Sequence, residues 1–124
     1  SHPWTQSVRI VNELIDHPAT THFGEAFELK DEIYLLDTNP RPNVTVLLSL
    51  DPGTVDLSRL PPEIGRSDFP ISWTLTAGSG RIFMTKLGHF PEVWRNPAFL
   101  QHLLQGLRYA AGRLKYNDGQ GIKT

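Results

Sequence analysis

Val44-Thr45-Val46-Leu47-Leu48-Ser49-Leu50 is the strongest strand signal in the chain, and its reading decides the fold. Val44, Val46, Leu48 and Leu50 would occupy one face and Leu47 the other, the pattern of a strand covered on both sides. The flanks bound it sharply. Residues 37–43 (DTNPRPN) form a loop before it. Residues 51–69 form a long irregular connection after it, with Pro52-Gly53 and Pro61-Pro62 as breakers. Further out, residues 7–12 (SVRIVN) alternate as a short strand, and Asp16-His17-Pro18-Ala19-Thr20 is a turn. Residues 26–36 read as one long or two short strands. Residues 71–76 (ISWTLT), the turn Ala77-Gly78-Ser79-Gly80 and residues 81–87 (RIFMTKL) form a hairpin.

One helix follows. Asn96 is its N-cap, Pro97 takes the first helical position, and Gly112 is placed to end it. Phe99, Leu100, Leu103, Leu104, Leu107, Ala110 and Ala111 carry the helical period, with Gln101, His102, Gln105 and Arg108 on the polar side. The expected fold is therefore α/β: a mixed β-sheet with a β-hairpin and one long C-terminal helix, over residues 1–114, with 115–124 as a flexible tail. A single helix covers one face of such a sheet. The other layer is expected from an N-terminal half outside this chain or from other copies of it, with an exposed central-strand face driving association.

Composition narrows the function. The chain has 124 residues, 39% apolar and 20% charged, the balance of one globular domain. A net charge of −1 with no basic block argues against a nucleic-acid partner. No apolar run approaches the roughly 20 residues of a membrane-spanning helix. The absence of cysteine excludes disulfides, thiolate metal sites and cysteine nucleophiles in this chain. The first residues, Ser1-His2-Pro3-Trp4, have neither the basic region nor the apolar core of a signal peptide, and the compartment stays open.

A set of short segments occurs in a recognisable order. It runs through His17-Pro18-Ala19-Thr20, Asp31-Glu32-Ile33-Tyr34, Val46-Leu47-Leu48-Ser49-Leu50-Asp51, Pro70-Ile71-Ser72-Trp73 and Gly78-Ser79-Gly80-Arg81-Ile82-Phe83. It continues through Leu87-Gly88-His89, Asn96-Pro97-Ala98-Phe99 and residues 101–112 (QHLLQGLRYAAG). The set resembles the ThuA-like (trehalose-utilisation) family over about residues 2–112, and in particular the C-terminal half of its domain. The resemblance implies an α/β fold related to class I glutamine amidotransferases, whose N-terminal half would supply the parallel core. It implies carbohydrate metabolism, with a (keto-)disaccharide such as a trehalose derivative as the small-molecule ligand. The alternative is a non-catalytic assembly or carbohydrate-binding module.

His89 follows a glycine at a strand end, a place where side chains face a crevice. The resemblance makes it a general base or ligand, with Glu92 as its orienting carboxylate; Glu92 lies three residues on, where the amidotransferase pattern has two. Asp31-Glu32 enters an apolar run, and strand alternation lets only one of the pair point inward; Glu32 is the candidate for binding hydroxyls or moving a proton. His2 and Trp4, in a His-Pro-Trp stretch shared with family relatives, suit sugar binding, as does Trp73, for which core packing competes. Trp94 could stack on a sugar face in the same way. His17, His22 and His102 show no metal-ligand spacing with acids, and His102 reads as a solvated residue of the polar helix face. No metal and no cofactor is expected. Gly78-Ser79-Gly80 lacks the lysine and the strand-to-helix context of a phosphate loop.

Overall fold

A computed structural model describes residues 5–32, 39–55 and 68–113, and the backbone of 116–117 and 122–123. Five strands, β1 (Thr5–Asn12), β2 (Ala26–Glu32), β3 (Thr45–Leu50), β4 (Phe69–Ala77) and β5 (Gly80–Thr85), form one sheet in the order β2-β1-β3-β4-β5. Helix α1 (Pro97–Ala110) follows, and Tyr116–Asn117 pairs with Ile122–Lys123 as a separate two-stranded ladder. The α/β class, the hairpin and the single long helix match the sequence reading. The strand directions do not: every ladder of the five-stranded sheet is antiparallel, where a mixed sheet was expected. A parallel neighbour requires a crossover of a dozen or more residues, usually helical, and no described connection between these strands is one.

β3 sits in the middle and is buried from Val46 to Leu50. Its ladder with β4 shifts register at Val46/Leu48 and again at Leu48/Ser49, so strict alternation breaks. Leu47 and Leu48 are both wholly buried. The expectation of an exposed central-strand face is thus corrected: both sides of β3 are covered within the chain. On one side lie Phe99 of α1 and Val93 and Leu87 of the segment before it, joined in one core with Val8, Ile10, Leu50 and Phe69. On the other, the Glu13 carboxylate bonds Ser49 and is gripped by Arg41 through two hydrogen bonds of 2.7 Å. Arg41 also binds Asp68 at 2.8 Å. Hydrogen bonding to Arg41 holds both carboxyls below their ordinary values.

The helix begins where expected. Asn96 Oδ1 accepts from the N–H groups of Ala98 and Phe99, with Pro97 at the first helical position. Asn96→Ala is expected to cost about 1 kcal/mol in a urea unfolding measurement. Its buried face, however, is rotated from the reading above. Phe99, His102, Gly106 and Tyr109 point inward, and Leu100, Leu104 and Leu107 are exposed, Leu107 by 65%. Two observations explain the rotation. Gly106 has no Cβ, and an added one would overlap the Phe83 ring of β5, so the helix approaches this strand at its glycine. His102, expected in solvent, is wholly buried because three partners meet its ring. Nδ1 lies 2.8 Å from the Ala19 carbonyl; Nε2 lies 3.1 Å from Thr85 Oγ1 and 3.3 Å from Ser72 Oγ. Gly106→Ala gains helix propensity but must displace Phe83 from between strand and helix; a net loss of about 2 kcal/mol is expected, read by the same unfolding measurement.

Candidate functional site

The site is built from the segment between β5 and α1, which crosses the sheet and reaches β2 at the opposite edge. In the β1–β2 ladder, Ile10 pairs with Phe27, Val8 with Leu29 and Gln6 with Asp31. Paired residues share a face, so Phe27, Leu29 and Asp31 form a row on the side carrying the core residues Val8 and Ile10. Lys30 and Glu32 fall on the other side by alternation. The choice between the two acids is therefore reversed: Asp31, with 0% exposure, is the inward carboxylate, and Glu32 points to the opposite face of β2.

Asp31 accepts three backbone hydrogen bonds. Gly88 N–H donates to Oδ2 at 2.8 Å, Phe90 N–H to Oδ1 at 2.6 Å, and Glu32 N–H to Oδ1 at 2.8 Å. The first two flank His89, whose side chain is exposed. Gly88 is gripped a second time, its carbonyl accepting from Trp94 Nε1 at 2.7 Å. Its φ of +102° lies in the region that favours glycine, and a Cβ there would come within 3.0 Å of the Phe99 ring. Any larger residue would push the loop off Phe99 and Trp94. Trp94 is thereby occupied as an anchor: its indole N–H is spent on Gly88 and its ring meets Phe99 edge-on.

Beside this loop is an open cleft of about 570 Å³ lined by Leu29, Lys30, Phe90, Glu92, Val93 and Asn96. Its floor is apolar, and Lys30 and Glu92 bring opposite charges to its walls. Lys30 Nζ stands 5.4 Å from the centre of the Phe90 ring, and Glu92 faces Arg95 at 3.9 Å. The cleft offers hydrogen-bonding groups of both polarities over an apolar base, with a histidine on the adjoining residue.

Of the residues singled out from sequence, His89 and Glu92 lie within four residues of each other at this end of the fold. Glu32 is on the far face of its strand, and Trp73 is packed in the sheet with 6% exposure. His2 and Trp4 lie outside the described residues. Asp31, Lys30, Phe90 and Asn96 were not assigned to the site from sequence. For Asp31 the signal was present, since the row Phe27-Leu29-Asp31 continues an apolar face with an acid. Among the described residues, no three His, Cys, Asp or Glu side chains are grouped to hold a metal.

Comparison with known proteins places the chain in a family. A ThuA-like protein of Parabacteroides merdae superposes with a TM-score of 0.66 at 23% identity, over 90% of this chain and 40% of that one. A ThuA-like protein of Bacteroides uniformis gives 0.68 at 24% identity, over 99% of this chain and 49% of that one. These likenesses establish the shared fold, and the chain spans less than half the length of either structure. No curated protein matches. The family model described as trehalose utilisation matches residues 1–110, which covers every strand of the five-stranded sheet and the whole of α1: the chain belongs to the ThuA family.

Proposed function

We propose that the end of the molecule carrying His89 binds a carbohydrate, a disaccharide of the trehalose type or its keto form, in the cleft between β2 and residues 90–96. His89 is the hydrogen-bonding or proton-transferring group at its rim, and Glu92 a second polar contact. One observation carries the reading: an exposed histidine, held by backbone hydrogen bonds on both flanks, adjoins a cleft of about 570 Å³. That volume lies within the usual range of small-ligand sites. Membership of the trehalose-utilisation family supplies the ligand class. Titration of the ¹⁵N-labelled chain with trehalose and with a keto derivative of it tests it. Shifts confined to Leu29, Lys30, His89, Phe90 and Glu92 are expected, with binding about tenfold weaker in His89→Ala. Absence of shifts at millimolar concentrations of both sugars would sink the reading.

A second reading, an assembly module, draws on a different surface. Leu100, Leu104, Leu107 and Ala111 are exposed at 4-3-4 spacing, the seam by which two helices pack. The occupant this spacing fits is the same helix of a second copy. Sedimentation equilibrium of the wild type and of Leu107→Lys decides it: a dimer dissociated by the substitution supports the seam, and a wild-type monomer removes it.

A further inference from the structure

We infer that Asp31 is a positioning residue for His89. The inference rests on the reading of the His89 loop as the binding end of the molecule, and its geometry is as follows. The row Phe27-Leu29-Asp31 faces the core. An apolar third member would complete that row at no electrostatic cost, whereas a buried carboxylate loses hydration that only hydrogen bonds can replace. All three donors that replace it are backbone N–H groups, and two belong to the residues immediately before and after His89. A carboxylate that holds Gly88 and Phe90 together fixes the peptide planes on both sides of position 89. It thereby fixes the direction in which the His89 Cα–Cβ bond leaves the backbone. Asp31 does this from 57 and 59 residues away in sequence, so the aim of the histidine is set by β2 and not by its own loop. Trp94, bound to the Gly88 carbonyl, closes the third side. The bond from Phe90 N–H also ties β2, which supplies Leu29 and Lys30 of one cleft wall, to Phe90 of the other.

Asp31→Asn is the discriminating variant. It keeps the shape and the Oδ1 acceptor for Phe90 and Glu32, but it can place an amide N–H₂ against the Gly88 N–H, donor against donor. The expected results are exchange of the Gly88 amide about tenfold faster, a moved Trp94 indole N–H resonance, and a changed rate of His89 carbethoxylation by diethyl pyrocarbonate. Trehalose binding should weaken by about tenfold. Ile71→Ala, a core variant in β4, serves as the comparison for loss of stability alone: it should leave the Trp94 indole resonance and His89 carbethoxylation at wild-type values, and should speed Gly88 exchange no more than that of other core amides. Unchanged Gly88 protection and His89 reactivity in Asp31→Asn would overturn the inference, as would equal changes of the indole resonance and His89 reactivity in Ile71→Ala. Should Asp31→Asn not fold, hydrogen exchange of the wild type decides: Gly88 and Phe90 amides exchanging as freely as an open loop would overturn it, and exchange through global opening alone would support it. The exchange and carbethoxylation readouts do not involve a sugar. Failure of trehalose to bind the wild type would therefore remove the functional reading and leave the role of Asp31 to be judged by them.

Discussion

Asp31→Ala is expected to lower the free energy of unfolding by about 4 kcal/mol, the largest single-residue effect anticipated outside the large apolar core side chains. The side chain is wholly buried, and its loss strands the N–H groups of Gly88, Phe90 and Glu32. Each unsatisfied donor costs about 1–3 kcal/mol, with water admitted at the loop recovering part of it. Asp31→Asn, which retains Oδ1, is expected to cost about half as much. Glu32→Ala, one residue on and on the other face of the strand, should change stability by no more than about 0.5 kcal/mol. Urea unfolding of the three variants measures the contrast. Equal effects at positions 31 and 32 would show that the two loop hydrogen bonds do not form in solution.

Acidification is the second. Burial lowers the His102 pKa from its ordinary 6.5 to about 4, partly offset by its bond to Ala19 and reinforced by the neighbouring His22 and His17. The hydrogen bonds set the tautomer of the neutral ring. Nδ1 must carry its proton, because the Ala19 carbonyl can only accept; Ser72 Oγ donates to the Met84 carbonyl, so Thr85 Oγ1 is left to donate to Nε2. A proton added at Nε2 would place a charge in the core, where its lost hydration outweighs the hydrogen bonds around the ring. The folded pKa is depressed, so above pH 6.5 both folded and unfolded states are neutral and stability does not change. Between pH 6.5 and about 4 only the unfolded chain binds the proton, and stability falls by about 3 kcal/mol in total. From about pH 4.5 downward the Glu13 and Asp68 carboxyls add to the loss. Their folded values lie under the ordinary 4.5 and 3.8 because of Arg41, so the unfolded chain protonates first there too. Unfolding midpoints from pH 7 to pH 4 measure the first stage. In His102→Asn, which can retain a donor toward Ala19, the curve should start lower and run flatter above pH 4.5. A wild-type curve flat between pH 6.5 and 4.5 would contradict the assignment.

The local signals were legible in the sequence because each acts over a few residues. Apolar density marked β3, Gly78-Ser79 marked the β4–β5 hairpin, and Asn96-Pro97 marked the start of α1. The ordered motifs marked the family. Position 89 was legible as a histidine after a glycine at a strand end.

Which way these pieces face was decided only by tertiary structure. Helix α1 carries two apolar stripes, and periodicity cannot rank them; the contact of Gly106 with Phe83 and the three partners of His102 turn the leucine stripe outward. Residues 31 and 32 are both acids, and alternation requires that one point inward without saying which. The answer came from two N–H groups almost sixty residues away that needed an acceptor. Sequence by itself determined the elements and the family of this chain. Tertiary structure determined the polar partners, because a buried donor or acceptor is satisfied by whatever the fold brings to it, and no short-range pattern encodes that meeting.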